Sequence, residues 1–97
     1  MNKYVILWRW TEKGVASFQQ SPDRAETFLA AAKKLGIKID AFLWTTGNYD
    51  GIVIAEAPDD QTISALALST AKLGNITTCT ARAYDLAEFR KVVGKVS

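Results

Sequence analysis

The chain has 97 residues, 48% of them hydrophobic and 23% charged, and a net charge of +2, which suits one domain with a buried core and excludes a disordered chain. No apolar run approaches the roughly 20 residues of a membrane span, and the 12 Lys and Arg residues are scattered rather than gathered into the basic stripe of a nucleic-acid module. With no histidine and a single cysteine, Cys79, the commonest general base and metal ligand, a Cys-rich zinc site and an intrachain disulfide are all excluded.

The opening segment MNKYVILWRW is interrupted by Arg9 and too short to be a signal peptide, so a cytoplasmic protein is expected. Within it, residues 3–10 form a β-branched and aromatic run that predicts a strand. Residues 11–20 read as a connection around Gly14. Ser21-Pro22-Asp23 then reads as a helix start, with Ser21 as N-cap and Pro22 at the first helical position. The helix carries Phe28, Leu29, Ala32 and Leu35 as its apolar stripe and stops at Gly36.

Residues 38–46 predict a second strand, Gly47-Asn48 a two-residue turn, and residues 49–57 a third strand, which together make a hairpin. Pro58-Asp59-Asp60 opens a second helix with Ile63, Leu66, Ala67, Thr70 and Leu73 along one side, ended by Gly74-Asn75. The paired aspartates, like Asp50 with Glu56, lack the spacing of a metal loop, so neither a metal nor a cofactor is expected. Residues 76–84 predict a fourth strand, and residues 85–95, with Leu86, Phe89, Val92 and Val93 at helical spacing, a short C-terminal helix. Basic pairs occur only at Lys33-Lys34 and Arg90-Lys91, as expected of solvated helix faces.

The order βαββαβ is the ferredoxin-like α+β plan: a four-stranded antiparallel sheet with two helices on one face. It brings Trp8, Arg9, Trp10, Trp44, Thr46, Tyr49, Asp50 and Thr78 to one sheet end as the candidate ligand pocket. Alternation puts Tyr4, Ile6, Trp8 and Trp10 on one face of the first strand and Val5, Leu7 and Arg9 on the other. Around the predicted turn, Thr46 would pair with Tyr49 and Thr45 with Asp50. Phe42, Trp44, Tyr49 and Val53 then share a face, opposite Ala41, Leu43, Ile52 and Ile54. The aliphatic set is expected beneath the helices and the aromatic set on the bare face, where an uncovered apolar patch calls for a second copy of the chain. Ion pairs are expected between Arg9 and Asp50 and between Arg82 and Glu56, and Cys79 is expected to be buried.

The tract Thr46-Gly47-Asn48-Tyr49-Asp50, with Glu56-Ala57-Pro58-Asp59-Asp60 after an aliphatic strand, resembles the GYD domain family. Trp10-Thr11 with Gly14, Ser21-Pro22 with Arg24, and Leu73-Gly74-Asn75 with Thr78, Thr80 and Arg82 extend the resemblance over residues 4 to 84. It implies a dimeric α/β-barrel type of ferredoxin-like fold and a homodimer or higher homo-oligomer. It brings no established catalytic residues, and members commonly have Lys where Arg9 stands.

Two functional classes follow. One is a non-enzymatic sensor or regulatory module that binds a small anionic or aromatic ligand between sheet and helices. The other is a cofactor-independent enzyme of monooxygenase or isomerase type, using Tyr49, Asp50 and Arg9. RNA binding is set aside because the third strand, NYDGIVIA, lacks the basic-aromatic pattern of an RRM.

Overall fold

A computed structural model describes residues 1–97. Its elements are β1 (Asn2–Trp10), α1 (Glu12–Ala16), a 3₁₀ turn (Phe18–Gln20), α2 (Ser21–Lys34), β2 (Lys38–Trp44), β3 (Gly51–Ala57), α3 (Asp60–Ala71), β4 (Ile76–Ala83) and α4 (Leu86–Val93). The sheet order is β2-β3-β1-β4 with every neighbouring pair antiparallel, so the fold is the ferredoxin-like α+β plan. No helix is long and apolar enough to cross a membrane.

The helix ends obey local chemistry. Gly36 takes φ +73° after α2, and the Ile37 and Gly36 amides donate back to the carbonyls of Ala32 and Lys33, a Schellman closure that glycine permits. Asp59 caps α3 by accepting from the Thr62 amide at 2.8 Å. Asp85 and Glu88 form a reciprocal capping box on α4.

Several expectations fail at the helices. Ser21 does not cap α2, whose N-cap is Gln20; its buried hydroxyl instead accepts from Trp44 Nε1 at 2.9 Å. The connection 11–20 contains α1, capped by Thr11, because Gly14 lets the short helix press against the Asn75 carbonyl. Leu29 and Leu35 are exposed, and the buried stripe of α2 is Ala25, Phe28 and Ala32.

The two faces of the sheet are the reverse of the expectation. Tyr4, Ile6, Trp8, Val53, Ala55 and Ala57 lie buried beneath the helices with Phe28, Ala32, Ile63 and Leu66. Ala25, Ala32 and Ala67 leave room beside Phe28, Ile63 and Leu66, and the Tyr4 and Trp8 rings of the sheet fill it. Ile6, Ile63, Leu66 and Val53 are fully buried, each contributing on the order of 2 kcal/mol. The bare face is the aliphatic one. It presents Val5, Leu7, Ile52 and Ile54 half-buried and Leu43 exposed, together with Cys79, which is exposed rather than buried. A bulge at Asp40, between Ile39 and Ala41, turns Ile39 toward the core.

Candidate functional site

Between the aromatic sheet face and helices α2 and α3 lies a cavity of about 170 Å³. Its floor is Ile6, Trp8, Phe42 and Val53; α2 contributes Arg24, Ala25 and Phe28, and α3 contributes Ala67 and Thr70. Trp10, Ile76 and Thr78 close the end near the start of β4. The rings pack edge to face, Phe28 on Phe42 at 5.6 Å and Trp8 on Trp10 at 5.7 Å between centroids.

Trp8 is only 4% exposed, yet its indole Nε1–H has no acceptor. A buried donor left unpaired costs about 1–3 kcal/mol, so this is an unusual feature of the cavity wall. Arg24 is the only charged side chain in the lining. Its Nη1 donates to Ser17 Oγ at 3.1 Å and its Nη2 to the Gly14 and Ser17 carbonyls at 3.2 and 3.3 Å. None of the chain's four salt bridges includes it.

Of the residues that the sequence singles out, Trp8, Trp10 and Thr78 line the cavity. Trp44 stands beside it, its ring 5.1 Å from Phe42 and its Nε1 held by Ser21. Arg9, Tyr49 and Asp50 build the hairpin and lie outside the lining. Thr46 is exposed in the same loop. Arg9 does not pair with Asp50: it donates from Nε to the Asn48 carbonyl at 2.5 Å and lies 4.5 Å over the Tyr49 ring. Asp50 faces the backbone, accepting from the Trp10 amide at 2.9 Å, while its own amide donates to the Trp8 carbonyl at 2.8 Å. Because β1 claims Asp50, the β2–β3 ladder ends at Trp44–Gly51 and the connection is longer than a two-residue turn. Only the Thr45-to-Asp50 backbone bond continues the register.

Sequence reasoning missed Arg24, Phe28 and Ala67 as cavity residues. The small residues of the helices, Ala25 and Ala67 among them, are the signal that a bulky sheet face lies opposite.

At the far end of the sheet, Arg82 pairs with Glu88 at 2.9 Å and not with Glu56, which meets Lys3 and Lys38 at 3.7 and 3.4 Å. The hydrogen bond from Arg82, aided by the Asp85 amide, holds the Glu88 carboxyl below its usual range. Tyr4 donates to Asp60 there; burial, then that hydrogen bond, pushes its phenol up.

The model of one protein family, the GYD domain, matches residues 4–93. Two solved structures share the fold. A homoserine dehydrogenase from Thiobacillus denitrificans aligns at 16% identity over 87% of this chain and 17% of that chain, with a TM-score of 0.57. An unknown protein from Galdieria sulphuraria aligns at 18% identity over 88% of this chain and 46% of that chain, with a TM-score of 0.53. The chain thus spans less than half of either protein, and identities this low carry the fold alone. No curated protein matches the sequence.

Proposed function

The chain belongs to the GYD domain family, and we propose that this member is a cytoplasmic, homo-oligomeric module that binds a small molecule in the cavity between sheet and helices. Residues 1–97 act as one domain in this reading. The observation that carries it is the aromatic-walled cavity of about 170 Å³ whose wall includes Trp8, a buried indole with an unpaired N–H. Apolar cavities with a few placed polar groups are the usual form of small-molecule sites. Self-association is supported by the bare face, where Val5, Leu7, Ile52, Ile54 and Leu43 form a contiguous aliphatic surface. The apolar side of α4 is a second uncovered apolar surface, with Leu86, Phe89 and Val93 all exposed.

The cofactor-independent enzyme is the weaker alternative. It assigns the chemistry to Arg9, Tyr49 and Asp50, and these groups are spent on holding the hairpin to β1.

Ala67→Leu, which fills the cavity, tests the binding role. A metabolite screen by thermal shift should find ligands that stabilise the wild type and leave Ala67→Leu unmoved. Ligands that stabilise both proteins equally would place binding elsewhere, and a screen with no hits would refute the binding role.

A further inference from the structure

Resting on that binding role, we infer that the cavity takes a single aromatic ring bearing a carboxylate, the ring lodged among Trp8, Phe28 and Phe42 and the carboxylate meeting Arg24. Size sets the ring count. A cavity of about 170 Å³ is close to the roughly 150 Å³ that admits benzene in an apolar protein interior, so one six-membered ring with a short substituent fits.

Wall chemistry sets the ring type. Trp8 and Phe42 lie 6.2 Å apart with their planes at 45°, and Phe28 meets Phe42 at 69°. A further ring joins such a cluster through edge-to-face contacts that an aliphatic chain cannot make.

Charge sets the substituent. No acidic residue lines the cavity, and Arg24 is its one cation. The three hydrogen bonds of that guanidinium end on neutral oxygens, which leaves the Nε–H and one Nη1–H free to donate. A carboxylate there gains charge-assisted hydrogen bonds with no internal rival, whereas an ammonium group would meet an uncompensated positive charge.

The experiment is an NMR titration of the full chain, following the Ala25 and Ala67 methyls, with benzoate, benzyl alcohol, benzylamine and butyrate. Benzoate should saturate, bind about tenfold or more tightly than benzyl alcohol, and weaken as salt is raised. Benzylamine and butyrate should bind more weakly than either. Arg24→Gln should bring benzoate down to the level of benzyl alcohol, and Arg24→Lys should restore part of the loss. Because Arg24 also ties down the Gly14–Ser17 segment, the wild-type ranking decides the ligand class even if Arg24→Gln unfolds. Benzyl alcohol or benzylamine binding as well as benzoate overturns the carboxylate assignment while the binding role stands. Butyrate matching benzoate overturns the aromatic assignment. If none of the four perturbs either methyl, the assignment fails, and the metabolite screen then reports separately on whether the cavity binds anything else.

Discussion

Gly51 lies directly across the ladder from Trp8, and the indole occupies the space that a side chain at position 51 would need. A Cβ there would run into the ring itself, so Trp8 is seated in the cavity wall because its neighbour on β3 has no side chain. Gly51→Ala is therefore expected to displace the indole and lower stability by about 1–3 kcal/mol. Chemical denaturation followed by tryptophan fluorescence checks this; an unchanged midpoint and emission spectrum would mean that the indole has room to move.

Gly14 plays the corresponding part on the other side. Its Cβ would meet the Asn75 carbonyl, a backbone group that cannot swing away. Gly14→Ala should lift α1 from the loop before β4 and break the Thr11 amide-to-Asn75 carbonyl bond of 3.1 Å. The expected loss is about 1–3 kcal/mol, with faster hydrogen exchange at Thr11.

Acid should loosen α4. The folded state holds Glu88 below the ordinary carboxylate range through Arg82 and the Asp85 amide. Its stabilising contribution is thus fully present above the unfolded value of about 4.3 and fades as pH falls through the lower folded value. Amide exchange in α4 should rise in that window, and Glu88→Gln should show fast exchange already at neutral pH. A wild-type helix that stays protected as acid is added would contradict the role of the pair.

At the alkaline end the sign reverses. The phenol of Tyr4 is raised by burial and by its bond to Asp60, so its contribution is complete below about pH 10 and declines as pH climbs toward the folded value. Tyr4→Phe should be less stable than wild type at neutral pH by about 1 kcal/mol, and the gap should narrow at high pH. A gap constant with pH would show that the phenol does not ionise in the unfolding range.

The bare face makes the assembly prediction. Leu7 and Ile52 pair at its centre on the two inner strands. Leu7→Glu or Ile52→Glu should convert a self-associated species to a 10.6 kDa monomer without altering the near-ultraviolet spectrum of the buried tryptophan. Sedimentation of the wild type as a monomer at micromolar concentration would end the proposal of self-association.

The amino-acid order alone determined the order of the four strands and of α2, α3 and α4, though not α1, together with the sheet plan and most of the hairpin register. Apolar periodicity, the Gly36 and Gly74 stops and the Pro58-Asp59-Asp60 helix start are local signals, and they act over a few residues. It also determined that Trp8, Trp10 and Thr78 gather at one sheet end, since strand order and direction suffice for that. What it could not determine was the side on which the helices dock. Alternation says that Tyr4, Ile6 and Trp8 share a face, but the choice of buried face depends on volume matching across layers. Here Ala25, Ala32 and Ala67 leave room that rings fill. The partners of Arg9, Arg82 and Asp50 were beyond reach for the same reason: charged side chains choose among acceptors that only the tertiary fold sets side by side. The cavity is likewise a property of the packing, because it is the volume left over where α2, α3 and the sheet do not quite meet.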